Sequence, residues 1–76
     1  MNDDQEFNQK NLGKVVSIRG SVIDAQFRKQ LPEIHNQLKG GDDGRVIIEV
    51  LIHLNSEAVR GIALTPTQGL QRVLKH

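Results

Sequence analysis

The sequence predicts an all-β fold, folded as one small closed barrel. The chain has 76 residues, which is enough for a single domain and little more. Short runs rich in Val and Ile alternate with Gly-, Pro-, Asn- and Asp-containing turns, the pattern of an all-β domain. At this size a closed barrel is favoured over a sandwich, because closure removes the exposed edges through which a small sheet aggregates.

Composition places the chain among ordinary soluble domains and excludes several kinds of chemistry. Hydrophobic residues make up 37% and charged residues 25% of the sequence, so a folded core is expected. The absence of cysteine excludes disulfides, thiolate zinc sites and thiol nucleophiles. A net charge of +1 gives no strong field for nucleic acid or an anionic membrane.

The first twelve residues differ in texture from the rest of the chain. Residues 1–12 are mostly acidic and amide side chains, and we expect them to form a mobile leader. Their acidic start is the reverse of a signal peptide, and no apolar run approaches the roughly 20 residues of a transmembrane helix. These features predict a chain in the cytosol, or one that faces the cytosol.

Two strands are predicted in the segment that follows the leader. Residues 14–19 and 22–27 are short and β-branched, and Gly20 between them marks a sharp bend or a bulge that joins them as a kink. In the second strand Ile23, Ala25 and Phe27 share one face, which we expect to lie in the core.

The middle of the chain contains one ambiguous segment and one clear loop. Residues 28–30 are a polar connector. In residues 31–38 the spacing of the apolar side chains fits a helix as well as a strand, and Pro32 suits a first helical turn, so the pattern leaves both open. Residues 39–44, rich in Gly and Asp, are predicted to be a loop.

The strongest strand signal covers residues 46–54. One face carries an uninterrupted apolar series of Val46, Ile48, Val50, Ile52 and Leu54. The opposite face is half apolar, whereas a strand with one solvated face would be more polar there. We therefore expect the second face to contact the leader, residues 31–38 or another chain.

The remaining segments complete the predicted sheet. Residues 55–57 form a turn and residues 58–64 a further strand. The segment 65–69 ends it, because Pro66 lacks a ladder donor and Gly69 accepts positive φ. Residues 70–74 are suited to a closing strand.

No phosphate-binding or acid–base site is predicted. Gly13-Lys14 lacks the upstream glycine and the following Ser or Thr of a P-loop. The glycine-rich loop 40–44 carries Asp42 and Asp43, which would repel an anion, so it is interpreted as a plain turn. The same two carboxylates, in a flexible loop, are poor candidates for acid–base work.

Metal, nucleophile and nucleic-acid sites are equally unsupported. His35, His53 and His76 have no metal-binding spacing, and Glu49 and His53 on one strand face would be about 13 Å apart. The serines lack a nucleophile-elbow pattern and no His suggests a triad. Two Phe, no Tyr and no Trp offer few stacking platforms for single strands, and Phe27 is assigned to the core. No catalytic, cofactor-binding or metal-ligating residue is therefore predicted.

Four segments, in order along the chain, resemble the amino-terminal barrel of the beta subunit of F-type ATP synthases. Residues 13–27, GKVVSIRGSVIDAQF, are similar to the opening of that barrel, and 31–38, LPEIHNQL, to its Leu-Pro-x-Ile-x-x-x-Leu segment. Residues 46–54 resemble the next long strand. The segments VRGIAL at 59–64 and TQGL at 67–70 resemble the closing hairpin. Their sequence is more similar to a divergent, alternative branch of these ATPases than to the common form.

The resemblance implies a Greek-key barrel of about six strands. In the family, such barrels from alternating alpha and beta subunits form a crown that holds a hexamer together and bind no nucleotide. The partners implied are neighbouring alpha and beta barrels, with no cofactor and no direct membrane insertion, peripheral on the cytoplasmic face of the membrane. The P-loop catalytic domain is absent from the sequence, so the resemblance implies no enzyme activity in this chain.

Departures from the family pattern bear on the domain boundaries. Ser21 and Gln68 replace a common Pro and Asp without threatening the fold. The sequence after Arg72 differs from the family, so we expect a barrel domain over 13–72 and a tail over 73–76. That ending keeps open a freestanding barrel that competes for crown positions as a regulatory module. A weak oligonucleotide-binding barrel is a third alternative.

Overall fold

The computed structural model describes residues 11–41, 44–70 and 73–75, and within them the chain is built of strands and turns. The strands are β1 (Leu12–Arg19), β2 (Val22–Phe27), β3 (Gln37–Gly40), β4 (Val46–Asn55), β5 (Ala58–Ala63) and β6 (Val73–Lys75). All pairs are antiparallel, and the sheet closes in the order β1-β2-β5-β4-β3-β6. The predicted all-β closed barrel is confirmed.

The strand order has Greek-key connectivity. Strands β3, β4 and β5 are consecutive along the chain and are neighbours in the sheet. Residues 28–36 connect β2 to β3, yet β2 lies beside β5 rather than beside β3. The short β6 pairs with β1 on one side and β3 on the other, which closes the barrel. The Greek-key topology implied by the family resemblance is thus present.

A two-residue turn at Gly20-Ser21 joins β1 to β2. Arg19 and Val22 are the last paired residues before the turn, and Gly20 has a φ of 60°. Positive φ at the first central position is the requirement of a type II′ hairpin turn, which glycine meets without a Cβ clash. Gly20 therefore lies in a hairpin turn. The bulge in this region lies earlier in the chain, between Val15 and Ser17 of β1.

The core lies inside the barrel and is drawn from every strand. Ile23, Ala25 and Phe27 are each 1% exposed, which confirms the predicted inner face of β2. The other buried apolar side chains are Val15, Leu38, Val46, Ile48, Val50, Val59 and Leu74. Leu31, Ala63 and Leu70 pack against them from the connecting segments and the end of β5.

The long apolar face predicted for β4 ends halfway along the strand. Val46, Ile48 and Val50 are buried as expected, but Ile52 is 46% and Leu54 39% exposed. The cause is a register shift between Val50 and Ile52, and a second one between His53 and Asn55. Each bulge adds a residue to one strand and so breaks the two-residue alternation that the sequence pattern assumes.

The ambiguous segment 31–38 is extended with a turn. A turn at residues 34–35 leads into β3, and the backbone amide of Asn36 donates to the carbonyl of Glu33 at 3.0 Å. His35 has a φ of 74°, the left-handed conformation that a right-handed helix does not contain. Of the two structures that the pattern left open, the extended one is present.

The ends of the barrel differ from the expected boundaries. Leu12, assigned to the leader, begins β1, while residues 1–10 of the expected mobile leader lie outside the described residues. Within the segment expected as a tail, Val73–Lys75 form β6, and Leu74 is fully buried. The barrel extends to Lys75 because closure needs a strand between β1 and β3.

Candidate interaction surface

A first exposed apolar surface lies on the outer half of β1. Val15 is buried, whereas Val16, the extra residue of the bulge between Val15 and Ser17, is 56% exposed, and Ile18 near the end of the strand is 47% exposed. An open groove of about 410 Å³ runs along residues 14–18. We call Val16 and Ile18, with this groove, the β1 patch.

A second exposed apolar surface lies on the far half of the β4–β5 hairpin. Every residue from Leu51 to Glu57 is exposed, although β4 runs to Asn55 and β5 begins at Ala58. Leu51, Ile52 and Leu54 are 40%, 46% and 39% exposed. We call residues 51–57 the arm, and these three side chains the arm patch.

The segment 32–36 braces the base of the arm. His53 Nε2 lies 2.7 Å from the carbonyl oxygen of Pro32, and Pro32 itself is buried. The backbone amide of His35 donates to the carbonyl of Val50 at 2.7 Å, and the amide of Val50 donates to the carbonyl of Asn36 at 2.9 Å. The half-apolar second face of β4 thus contacts residues 31–38, one of the three neighbours expected for it.

An ion pair on the outer wall ties β2 to β5 between the two patches. Asp24 faces Arg60 in the strand register, and its two carboxylate oxygens accept from Nε at 2.8 Å and from Nη2 at 3.0 Å. Arg19 lies further away, with its Nη2 3.7 Å from Asp24 Oδ2. A bidentate Arg–carboxylate pair of this geometry is among the stronger hydrogen-bonded contacts in proteins.

The Asp24 carboxylate is held in its charged form although it is largely buried. It is only 8% exposed, and burial alone would raise its pKa. The hydrogen bonds from Arg60 outweigh burial, aided by the charges of Arg60 and Arg19, and lower the pKa of Asp24. The same hydrogen bonds raise the pKa of Arg60. The arrangement is that of a structural latch, since both groups are satisfied by each other.

The residues considered for chemistry in the sequence are not brought together. His35 Nδ1 lies 2.9 Å from Glu49 Oε2, whereas His53 contacts the Pro32 carbonyl, and His76 lies outside the described residues. Within the described ranges no group of three or more His, Cys, Asp or Glu side chains is placed to hold a metal ion.

The structure describes the glycine-rich loop only in part. Gly44 donates its amide to the carbonyl of Gly41 at 3.3 Å, as in a plain turn, while Asp42 and Asp43 lie outside the described residues.

In the described part of the chain there is no helix of the length and apolar character needed to span a membrane.

The exposed patches were only partly visible in the sequence. The half-apolar second face of β4 was a correct sign that this strand meets something besides its own core. The patch on β1 was missed, although the consecutive apolar pair Val15-Val16 followed by Ile18 is a signal that both faces of that strand carry apolar side chains. The Asp24–Arg60 pair could not be seen in the sequence, because the two residues are 36 positions apart.

Comparison with known proteins gives a consistent result. The family described as "ATP synthase alpha/beta family, beta-barrel domain" matches residues 15–75. The chain is 56% identical over 62 residues to ATP synthase subunit beta 2 of Polaromonas naphthalenivorans, which covers 82% of this chain and 13% of that protein. It is 45% identical over 75 residues to ATP synthase subunit beta 1 of Psychromonas ingrahamii, which covers 99% of this chain and 15% of that protein. The chain therefore spans about one seventh of the length of these relatives.

Proposed function

Because the chain belongs to the ATP synthase alpha/beta family through its beta-barrel domain, we propose that it is a non-catalytic assembly domain of an ATP synthase beta subunit. In this role the barrel joins neighbouring alpha and beta barrels into the crown of an alternating hexamer. The complex that contains it couples ATP synthesis to ion transport, and the barrel lies on the cytoplasmic face of the membrane without entering it.

The observation that carries this proposal is the amount of apolar surface left outside the barrel. Among the residues that the structure describes, eight large apolar side chains are at least 39% exposed, and ten apolar residues form the buried core. Five of the eight cluster in the β1 patch and the arm patch. Clustered exposed apolar side chains mark interaction surfaces, whereas isolated ones are common on any protein.

The polar groups of the barrel point to the same kind of role. Asp24 and Arg60 satisfy each other and His53 lies against a backbone carbonyl. Neither contact leaves a free, perturbed group facing a cleft, which is what acid–base or nucleophilic catalysis requires. We therefore assign no step of catalysis to this barrel.

The proposal is tested by mixing the 76-residue chain with the barrel domain of an alpha subunit, taken from Polaromonas naphthalenivorans. Sedimentation velocity and isothermal titration calorimetry should show a complex with a dissociation constant in the micromolar range, about what a small, partly polar interface supports. An unrelated five-stranded barrel of similar size serves as the control partner. If both barrels are folded by circular dichroism and no complex forms up to about 1 mM, the assembly function is refuted.

A further inference from the structure

The first ten residues and the rest of the chain carry opposite net charges. Residues 1–10 contain three carboxylates, Asp3, Asp4 and Glu6, and one basic residue, Lys10, so their side chains have a net charge of −2. The whole chain has a net charge of +1, and the remaining residues therefore carry +3. Opposite charges on a short segment and on the domain that bears it favour contact between the two.

The chain enters the barrel against the connector of residues 28–30. Asn11 directly precedes β1, and its side-chain amide nitrogen donates to the carbonyl of Gln30. Asn11 Oδ1 is buried and has no hydrogen-bond partner among the described residues. Buried acceptors without a donor are rare, so we expect a donor from a segment outside the described residues at this point. Residue 10 starts out beside the connector, because it is bonded to Asn11.

Three exposed basic side chains lie near this entry point. Arg28 and Lys29 belong to the connector, and Lys14 lies on β1, which pairs with the end of β2 that leads into the connector. We call Lys14, Arg28 and Lys29 the connector patch. The amide of Phe27 donates to the carbonyl of Glu57, which brings one carboxylate near the patch. With Glu57 counted, the patch keeps a net charge of +2, which matches the −2 of residues 1–10.

Residues 1–10 are long enough for their carboxylates to reach the connector patch. An extended chain spans up to about 3.6 Å per residue, so Glu6 reaches about 18 Å from Asn11 and Asp3 about 29 Å. The connector lies well within this range, since Asn11 contacts it directly.

We propose that residues 1–10 fold back on their own barrel and bind the connector patch through the carboxylates of Asp3, Asp4 and Glu6. The contact is an electrostatic strap. It holds the start of β1 against the connector, and it occupies the patch, which keeps other anionic partners from binding there. This inference is independent of the proposed assembly function.

Salt should release the strap. Ion pairs on a protein surface are individually weak, so the contact depends on several of them acting together. The Debye length falls from about 10 Å at 0.1 M salt to about 3 Å at 1 M, which screens such pairs.

Paramagnetic relaxation enhancement measures how closely residues 1–10 approach the connector. The chain contains no cysteine, so N2C carries a single nitroxide label on the full ¹⁵N-enriched chain. At about 0.02 M salt the amides of residues 28–30 should be strongly broadened. The broadening should fall about threefold or more in 1 M salt, and equally in the neutral variant D3N/D4N/E6Q.

Two arginine substitutions form a matched pair of variants. R28E and R45E each reverse one exposed positive charge, but Arg45 precedes β4, whose other end leads to the arm tip near the connector. R28E should reduce the broadening at residues 28–30, whereas R45E should leave it unchanged. A full exchange of charge, with D3K/D4K/E6K on one side and K14E/R28E/K29E on the other, should restore it.

The same measurement can overturn the strap. Undiminished broadening in 1 M salt and in the neutral variant would refute it, because residues 1–10 would then be tethered beside the connector without binding it. Equal effects of R28E and R45E would also refute it. So would broadening in a mixture of labelled unenriched chain and unlabelled ¹⁵N chain, which would show binding between two copies. The neutral variant keeps the test valid if a patch variant does not fold, because its substitutions precede β1.

Discussion

Asp24 is the most buried charged side chain of the described residues, and replacing it with Asn removes its charge with little change of shape. The carboxylate accepts two short hydrogen bonds from Arg60, at 2.8 and 3.0 Å. Hydrogen bonds to charged groups each contribute about 1.5–3 kcal/mol, but water reaches part of Arg60 and reduces the loss. We expect Asp24→Asn to lower the free energy of unfolding by about 2 kcal/mol at pH 7, or roughly 8–16 °C in Tm for a domain of this size.

The direction of the pKa shift of Asp24 also predicts how this difference depends on pH. Its pKa is lower in the folded chain than in the unfolded chain, so the stabilisation is fully present above the unfolded pKa. It is lost as pH falls through the folded pKa, because the native carboxylate is then protonated as well. The gap in stability between the original chain and Asp24→Asn should therefore shrink as the pH falls below about 4.

Urea unfolding followed by circular dichroism at a series of pH values measures this gap. Glu57→Gln provides the control, since Glu57 is an exposed carboxylate at the tip of the arm and its replacement should change stability by less than about 0.5 kcal/mol. The reasoning is refuted if Asp24→Asn also falls within that limit at pH 7. It is equally refuted if the gap between the two proteins is the same at pH 7 and at about pH 3.

Further predictions concern packing and the brace. Gly61→Ala should lower the free energy of unfolding by about 2 kcal/mol or more, because the added Cβ would lie 2.5 Å from the Glu49 carbonyl oxygen. Gly20→Ala is strained only by its φ and should cost about 1 kcal/mol in the same urea assay. Leu74→Ala should cost about 3 kcal/mol if β6 closes the barrel, whereas a loss no larger than that of the exposed Leu64→Ala would contradict closure. His53→Ala should speed hydrogen exchange at the amides of His35 and Val50, which it braces through Pro32; unchanged exchange rates would show that the backbone bonds hold the arm alone.

The strands could be predicted because their signals are local. The alternation of Ile23, Ala25 and Phe27 depends only on the geometry of a single strand, and the turns at 20–21 and 56–57 depend on residues within them. The bulges could not be predicted, because an extra residue in one strand is defined by its pairing with another strand. For that reason the face of β4 was predicted as continuous to Leu54, whereas it leaves the core after Val50.

Some features of the candidate interaction surface could also be predicted from the sequence, and others could not. The half-apolar second face of β4 was evident from the order of its side chains, and it predicted contacts outside the core. The Asp24–Arg60 latch arises from two neighbours in space that are far apart along the chain. Segment 31–38 was ambiguous because a helix and an extended chain share its apolar spacing. The structure decides it through backbone bonds between residues 35–36 and Val50 of β4.

By itself, the sequence determined that the chain is a small all-β domain, which family it resembles, and that it carries no recognisable catalytic motif. These properties follow from the composition of the chain, from the alternation of apolar and polar side chains along each strand, and from short motifs of neighbouring residues. Only the tertiary structure decided where the strands bulge and which apolar side chains are left outside the core. Those properties depend on strand order and register, which are set when distant segments pair and the barrel closes.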